Sequence, residues 1–346
     1  MVSSKSLSAL LGVALAAVQS TLAAKLVDAP PQELLSYTPF GGKNASILKS
    51  PADWNRNTFP IPVHSHNDYE RTVPIFEALS YGALSMESDV WLNPDDGKLY
   101  VGHDPYSLTR ERTFQALTIE PLVKAIEQAN RANILQSQSE EAQFFANLQN
   151  TVRTNTSNAW NGYYSLGVGS SAPLQLLVDI KTDGNATWPV LVQELEPLRK
   201  RGWLTSYENG KINPGPVLVI GTGNTPIHQV APLHKRDYFF DGPLGKLDTP
   251  TVINGTSYEW NSTLSPIASG SFRVICGEYD GLDEASDAVK QNISAPIQQA
   301  HAKGIKSRYW DSPQWPIFAR HRINHLMLAA KSDFIGSDDL ADIARW

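Results

Sequence analysis

The chain reads Ile61-Pro62-Val63-His64-Ser65-His66-Asn67-Asp68-Tyr69 where its first strand-like apolar segment runs into polar residues. Two later stretches complete this region: Ser85-Met86-Glu87-Ser88-Asp89-Val90-Trp91 and Tyr100-Val101-Gly102-His103-Asp104. Three of the eight histidines fall here, and a Glu-x-Asp pair lies between them. Imidazoles serve as general bases and acids, and carboxylate and amide oxygens bind hard divalent cations. The region therefore predicts metal-assisted acid–base chemistry of the kind that cleaves a phosphodiester.

Strand-like apolar runs recur along the rest of the chain and alternate with helical patterns. The strands are predicted at residues 61–66, 84–92, 174–180, 216–221, 238–241, 272–277, 306–310 and 333–336. Helices are predicted at residues 74–79, 118–126, 191–200, 296–302 and 320–330, with Thr118 as an N-cap. About eight strands alternating with helices predict an α/β fold, most simply a closed (β/α)8 TIM barrel.

Several predicted strands end in polar residues, which favours the barrel because its chemistry lies at the C-terminal strand ends. These residues are His66, Asp89, Asp179, Asp311 and Asp338. A doubly wound open sheet is the alternative, although no Gly-x-Gly-x-x-Gly follows the first strand.

The first 24 residues have the features of a secretory signal peptide. Lys5 precedes an apolar stretch of about ten residues, which is too short to span a bilayer, and small residues follow near Ala24. An uncleaved membrane anchor is the alternative. Residues 25–60 are rich in proline and polar residues and are predicted to form a lead-in segment, with the barrel domain at 61–346.

Six Asn-x-Ser/Thr sequons agree with passage through the secretory pathway and with N-glycosylation. They begin at Asn44, Asn155, Asn185, Asn254, Asn261 and Asn292. We expect a secreted or secretory-pathway protein, and the sequence leaves its final residence in the medium, wall or vacuole open.

Composition excludes some partners. The 346 residues are 41% hydrophobic and 18% charged, which supports a core of ordinary size. The formal charge is −6, there is no basic tract, and removal of Lys5 with the leader would make the chain more negative. Nucleic acid is therefore not an expected partner, and no stable membrane span is expected after the leader. Cys276, the single cysteine, is predicted to be a buried core thiol. The oligomeric state cannot be read.

The motif His66-Asn67-Asp68-Tyr69, followed by Glu87-x-Asp89 and His103, resembles the phospholipase-C-like phosphodiesterase superfamily. That group includes phosphatidylinositol phospholipase C, glycerophosphodiester phosphodiesterase and sphingomyelinase D. Two C-terminal motifs narrow the resemblance to the fungal altered-inheritance-of-mitochondria protein six family. They are Arg308-Tyr309-Trp310-Asp311-Ser312-Pro313 and Asp333-Phe334-Ile335-Gly336-Ser337-Asp338-Asp339-Leu340. The resemblance covers roughly residues 60–342.

This resemblance implies a phosphodiesterase barrel with the catalytic histidines at His66 and His103. It implies metal ligands at Glu87 and Asp89, and their i, i+2 spacing on a strand does place both carboxylates on one face. It also implies Asp179 and Asn67 as further metal ligands, and Lys181, at i+2 from Asp179, as a residue that holds the phosphate. Two more residues are placed on the substrate side by position: Trp310 at a late strand end, with core packing as the alternative, and His64 on the strand face of His66, with a supporting or packing role as the alternative. The cofactor implied is one divalent cation, Mg²⁺ or Ca²⁺.

The function predicted is a metal-assisted phosphoric diester hydrolase of the phospholipase-C-like or sphingomyelinase-D-like type, with the two histidines as acid and base. The substrate is a phosphodiester, a phospholipid head group being one candidate, and which histidine is the base stays open. Glycerophosphodiester phosphodiesterases carry Arg-Gly after the first histidine, whereas Asn67-Asp68 stands here, so specificity for glycerophosphodiesters is not predicted.

Two rival functions remain. The first is a secreted, catalytically degenerate barrel that binds a phospho-ligand or glycan. The second is a glycosidase that uses paired carboxylates without a metal.

Overall fold

The computed structural model describes residues 58–129 and 173–346 of the chain. The strands in these residues are β1 (Ile61–Ser65), β2 (Ala83–Asn93), β3 (Lys98–Val101), β4 (Leu174–Ile180), β5 (Ser206–Glu208), β6 (Lys211–Asn213), β7 (Val217–Gly223), β8 (Lys235–Arg236), β9 (Phe239–Pro243), β10 (Thr251–Ile253), β11 (Thr256–Tyr258), β12 (Ile267–Ser271), β13 (Lys306–Trp310) and β14 (Phe334–Ser337). The α-helices are α1 (Phe76–Ser80), α2 (Glu120–Ala129), α3 (Gly184–Glu194), α4 (Glu196–Arg199), α5 (Phe272–Cys276), α6 (Asp287–Ala302), α7 (Ile317–Ala329) and α8 (Leu340–Ile343).

Eight parallel strands close into a barrel. Their order is β1, β2, β4, β7, β9, β12, β13 and β14, and β14 pairs back onto β1. Sequence neighbours are therefore spatial neighbours all the way round, as in a (β/α)8 barrel. The predicted TIM barrel is confirmed, and the doubly wound sheet is wrong because β1 is paired on both sides. The strand β3 lies antiparallel to β2 as an outer hairpin.

Helices follow most of the barrel strands, but the two strands opposite β1 are connected differently. In the described residues a 3₁₀ turn, Ile227–Gln229, follows β7, and the antiparallel hairpin β10–β11 lies between β9 and β12. These irregular connections leave room above the C-terminal ends of β7 and β9. The candidate site described below borders this part of the barrel.

The predicted strand at residues 272–277 is wrong, because that apolar run forms helix α5. The strand β12 lies just before it, in the small-residue sequence Ile267-Ala268-Ser269-Gly270-Ser271, whose strand pattern is weak. The Oγ of Ser271 accepts a hydrogen bond from the backbone N–H of Val274 at 3.2 Å and so caps the helix. A capping serine directly before an apolar run is a helix-start signal that outweighs hydrophobicity here.

Thr118 is not the N-cap predicted for the second helix. It lies inside a π-helical turn, Gln115–Ile119, that continues directly into α2. Its hydroxyl is buried and bonds the Ser88 Oγ of β2 at 3.0 Å, a partner 30 residues away in sequence. Tertiary contact therefore replaces the local capping bond that the sequence pattern favoured.

The barrel interior is apolar in its lower part and polar towards the C-terminal strand ends. One buried apolar cluster joins side chains of β4, β7, β9, β12 and β14; its members are Leu177, Leu218, Ile220, Phe239, Ile267 and Phe334. Residues from strands on opposite sides can meet only through the interior, so this cluster fills the barrel. Inward positions further along the same strands carry Asp179, Thr222, Asp241 and Ser269. The polar side chains at the C-terminal strand ends therefore lie directly above this apolar cluster.

Several further predictions can be compared with the described residues. Cys276 is a buried free thiol, as predicted, and burial raises its pKa to about 12. Four sequon asparagines are exposed: Asn185, Asn254, Asn261 and Asn292. The signal peptide, most of the lead-in segment, Asn44 and Asn155 lie outside the described residues, and the domain boundaries stay a prediction. No described helix combines the length and hydropathy that crossing a membrane requires.

Replacing Leu177 with alanine should lower the free energy of unfolding by about 2–5 kcal/mol, because a cavity opens beneath the polar layer. Leu177 is fully buried. Denaturant unfolding of the purified protein measures the change. The matched control Leu328→Ala removes a partly exposed leucine of α7 and should change the value by less than about 0.5 kcal/mol. Equal losses in both variants would contradict the placement of Leu177 in the barrel interior.

Candidate active site

Three carboxylates converge at the C-terminal end of β2 and β4. Glu87 and Asp89 point to the same side of β2 because strand side chains alternate, and Asp179 is the direct neighbour of Asp89 across the parallel pair. One oxygen from each of the three lies within 4.8 Å of the others. The register of two strands therefore assembles the cluster that the sequence predicted as a metal site.

The cluster fits a hard divalent cation. Neither carboxylate oxygen of Asp89 has a hydrogen-bond partner among the described residues, although both are buried. Burial, followed by the negative charge of Glu87, raises the pKa of Asp89 to about 6. A buried carboxylate beside two more acids is costly unless positive charge is shared among the oxygens, and the Lys181 ammonium, 3.0 Å from Asp89, supplies one charge to a cluster of three acids. The oxygen-only ligand set is the one that Mg²⁺ or Ca²⁺ prefers.

Lys181 shares two of these acids. Its Nζ lies 2.6 Å from an oxygen of Asp179 and 3.0 Å from an oxygen of Asp89, the second contact without hydrogen-bond geometry. Burial opposes its charge, but the Asp179 hydrogen bond and the Asp89 charge prevail and raise the pKa of Lys181. The lysine is thus held at the acid cluster as a fixed positive charge.

Glu87 is the centre of a second group of contacts. Its Oε2 lies 3.5 Å from His64 Nε2, 3.8 Å from His66 Nε2 and 3.3 Å from the backbone nitrogen of Asn67. Burial alone would raise the pKa of Glu87, but the His64 hydrogen bond and the charge of Arg308 outweigh it and hold the pKa well below its usual range. Glu87 is therefore ionised at any physiological pH.

His64 is fully buried beneath the cluster. Burial, reinforced by the positive charge of Arg308, lowers the pKa of His64 to about 3, so the ring is neutral at pH 7. Because the Glu87 carboxylate only accepts, Nε2 is the donor, and Nδ1 then accepts from the hydroxyl of Ser85 at 2.7 Å. His64 is placed to orient Glu87.

His66 and His103 lie near different acids of the cluster, His66 near Glu87 and His103 near Asp89. His66 Nδ1 is 2.8 Å from Asp338 Oδ1, which turns Nε2 towards Glu87. Burial would lower the pKa of His66, but the Asp338 hydrogen bond and the nearby carboxylates raise it overall. His103 Nδ1 lies 3.7 Å from Asp89 Oδ2, and its side chain is 61% exposed. The two predicted catalytic histidines thus flank the predicted metal ligands.

The remaining predicted residues lie around this centre. Asn67 has a left-handed backbone with φ 48°, and its Oδ1 accepts a hydrogen bond from the hydroxyl of Tyr69 at 2.8 Å. That amide oxygen keeps a second lone pair for a ligand. Trp310 ends β13 on the far side of the mouth, is 47% exposed, and lines a pocket that also contains Asp241.

Three charged residues of the site were not predicted from the sequence. Arg308 is 3% exposed, donates through Nε to Ser269 Oγ at 3.1 Å, and has no partner for Nη1 among the described residues. Asp338, one of the polar residues at the predicted strand ends, bonds His66, and its neighbour Asp339 caps α8. Asp241 ends the inward face of β9 and accepts from Thr222 Oγ1 at 3.1 Å. Arg308 could have been found as the i−2 neighbour of Trp310 on the same strand face.

In metal-free protein, the pKa of His66 should lie above the ordinary value of 6.5 and should fall in Asp338→Asn. NMR titration of the ring protons measures it. Because the folded-state pKa is raised, the contact stabilises fully below the unfolded value and loses its effect as pH rises through the folded value. The variant should therefore lose more unfolding free energy near pH ~6 than near pH ~9. The control Asp339→Asn should leave the His66 titration in place, and an unchanged pKa in Asp338→Asn would refute the assigned contact.

Comparison with known proteins places this barrel in a family. A sequence profile of the AIM6-like phosphodiesterase domain matches residues 52–148 and 144–241. The altered inheritance of mitochondria protein 6 homolog of Arthroderma benhamiae is 37% identical over 303 residues, which cover 85% of this chain and 86% of that protein. Altered inheritance of mitochondria protein 6 of Eremothecium gossypii is 27% identical over 298 residues, covering 82% and 69%.

Among solved structures, a putative glycerophosphoryl diester phosphodiesterase from Silicibacter pomeroyi DSS-3 is similar to this chain at 13% identity. The match covers 84% of this chain and 96% of that chain with a TM-score of 0.38. The family is shown by the sequence matches, which span most of the barrel strands. The chain therefore belongs to the AIM6-like phosphodiesterase family.

Proposed function

We propose that the protein is a metal-assisted phosphoric diester hydrolase of the phospholipase-C-like or sphingomyelinase-D-like type. One observation carries the proposal: two histidines lie beside a cluster of three acids suited to a cation, each near a different acid. Glu87, Asp89 and Asp179 form the cluster, and His66 and His103 flank it. A phosphodiester at this position meets a charge-neutralising group and two groups able to transfer protons.

The three acids, with the Asn67 amide oxygen, would hold one Mg²⁺ or Ca²⁺. Bound there, the cation supplies positive charge to the phosphoryl oxygens, which gain negative charge as the bond to the leaving group breaks. Lys181, held on Asp179 and Asp89, adds a second positive charge at the same place. Arg308, whose Nη1 has no partner in the described part of the chain, contributes a third from the opposite wall of the barrel.

The two histidines would divide the proton transfers. One accepts the proton of the attacking hydroxyl, from water or from a neighbouring group of the substrate, and the other protonates the leaving oxygen. Asp338 orients His66 by accepting at Nδ1, which leaves Nε2 for the reaction. His103 is exposed and near Asp89, so it can reach a substrate bound at the acid cluster. The neutral His64 is a positioning residue that acts through Glu87.

We also propose that the protein follows the secretory route and carries N-linked glycans. The predicted signal peptide and the exposure of the four described sequon asparagines support this proposal.

Turnover of bis(p-nitrophenyl) phosphate should require Mg²⁺ or Ca²⁺ and should be abolished by EDTA. His66→Ala and His103→Ala should each lower kcat by about 10²–10⁴-fold, because each removes one proton transfer. The control His234→Ala removes an exposed histidine away from the site and should keep the wild-type rate. Metal-independent turnover would contradict the role of the cation. A folded, metal-binding protein without turnover on any phosphodiester would favour the catalytically degenerate barrel.

Cation binding should raise the melting temperature of the wild-type protein, by an amount equivalent to about 2.7 kcal/mol at a cation concentration of 100 Kd. Asp89→Asn should abolish this response. The same variant should melt higher than wild type without a cation, because it removes a buried charge from the cluster. Differential scanning calorimetry with Mg²⁺, Ca²⁺ or EDTA measures both effects. Asp95→Asn, at an exposed carboxylate in the β2–β3 turn, is the matched control and should respond like wild type.

A further inference from the structure

A pocket of about 310 Å³ opens beside the acid cluster, above the C-terminal ends of β7, β9, β12 and β13. Its volume lies at the lower end of the range of small-molecule sites, which suits one small chemical group better than a whole lipid. Aromatic residues form part of its lining, namely Phe240, Trp260 and Trp310. The rings of Phe240 and Trp260 lie 5.8 Å apart, and the hydroxyl residues Thr222, Thr251 and Ser269 also line the pocket.

The pocket adjoins the proposed metal site at the end of strand β7. Thr222 of β7 is the direct register partner of Asp179 of β4, so it lies next to the acid cluster on the inward face of the barrel. Thr222 also lines the pocket, and its hydroxyl donates to Asp241 Oδ2 at 3.1 Å. A substituent on a phosphoryl group at the cluster therefore has a short path into this space.

Among the described residues that line the pocket, Asp241 is the only charged one. It forms no ion pair with any residue in the ranges 58–129 and 173–346, and its Oδ1 has no hydrogen-bond partner there. Burial raises the pKa of Asp241 to about 6, against the positive charge of Arg308 and hydrogen bonds from Ser269 and Thr222, so the carboxylate is still the main form at neutral pH. A carboxylate without a direct ion pair, in a pocket lined by aromatic side chains, favours an organic cation over an anionic group.

We propose that this pocket binds the ammonium group of an amine-bearing phosphodiester, of the choline or ethanolamine type. This inference rests on the proposed function, because it names the class of substrate that the acid cluster would cleave. Asp241 provides the opposite charge, and the half-exposed ring of Trp310 covers the ammonium group at the open side. Aromatic rings beside a carboxylate recognise a quaternary ammonium by cation–π attraction and charge together.

The arrangement also disfavours other head groups. An anionic substituent, such as a phosphorylated inositol, would meet the Asp241 carboxylate as a like charge. A glycerol or inositol head group can bond the hydroxyl residues but leaves the carboxylate without a cation. The ammonium can belong to a soluble diester or to a lipid, since both carry the same group.

The first test compares two chromogenic diesters that differ in one atom. One is p-nitrophenylphosphorylcholine, and the other is its 3,3-dimethylbutyl analogue, in which carbon replaces the ammonium nitrogen. We expect kcat/KM to favour the choline compound by about tenfold or more, because shape is matched and only the charge differs. Equal kcat/KM values for the two compounds would overturn the inference while leaving the proposed hydrolase in place.

Variants test which residues cause the preference for the choline compound. Asp241→Asn and Trp310→Leu should each bring the ratio of the two kcat/KM values close to one. The matched controls are Asp95→Asn, at an exposed acid, and Tyr106→Ala, at a tyrosine that is 98% exposed. Both controls should keep the wild-type ratio. Discrimination that survives in Asp241→Asn would place ammonium recognition elsewhere and overturn the assignment of this pocket.

Direct binding separates failure of this inference from failure of the proposed function. Tetramethylammonium should perturb the NMR signal of the Trp310 indole N–H, identified by its loss in Trp310→Leu, whereas neutral 3,3-dimethylbutanol should perturb it about tenfold more weakly. Such binding without turnover of any diester supports the pocket and contradicts the hydrolase. No response at the Trp310 signal overturns the pocket whatever the turnover.

Two further substrate pairs test whether the ammonium group belongs to a soluble diester or to a lipid. Glycerophosphocholine is compared with glycerophosphoglycerol in solution, and phosphatidylcholine vesicles are compared with phosphatidylglycerol vesicles. Preference for the choline member in the first pair indicates a soluble diester, and preference in the second indicates a lipid. Preference for the glycerol member in both pairs would overturn the inference.

Discussion

Mutual repulsion among the carboxylates of Glu87, Asp89 and Asp179 is the constraint on which the rest of the site depends. They converge within 4.8 Å at the mouth of the barrel, and Asp89 is buried with no hydrogen bond to either oxygen among the described residues. Such a cluster holds together only if positive charge is supplied to it. The groups around it supply that charge or direct it: Lys181 bridges two of the acids, and the His64 hydrogen bond together with the charge of Arg308 outweighs burial and lowers the pKa of Glu87.

The barrel makes this concentration of charge possible. Buried apolar side chains from five strands fill the lower interior, so the polar residues can occupy only the C-terminal layer. Parallel register then sets them side by side, with Asp89 opposite Asp179 and Asp179 opposite Thr222. The same layer continues to Asp241, which places a carboxylate without a direct ion pair among the described residues in the pocket next to the acid cluster. The same strands therefore carry both the apolar side chains that stabilise the lower interior and the charged side chains at the mouth of the barrel.

The sequence predicted what depends on local spacing and strand ends. The Glu87-x-Asp89 pair shares a strand face, and Asp179 ends another strand, so their meeting in a parallel barrel follows from period-two alternation. It did not predict partners joined only by the closure of the barrel, such as His66 and Asp338, which are 272 residues apart. Arg308 was missed for a related reason. From the sequence alone, an arginine in a short strand is expected at the surface, because nothing shows that the strand lines the barrel interior.

One measurement tests the central claim most directly: anomalous X-ray scattering from crystals soaked in Mn²⁺, which substitutes for Mg²⁺ or Ca²⁺ at oxygen sites. The account predicts a single strong peak bounded by the carboxylates of Glu87, Asp89 and Asp179, with metal–oxygen distances of about 2.0–2.6 Å. Absence of a peak there, with the Lys181 ammonium still in contact with Asp89 and Asp179, would contradict it. In that case the lysine would be the cation of this site, and the barrel would not use a metal.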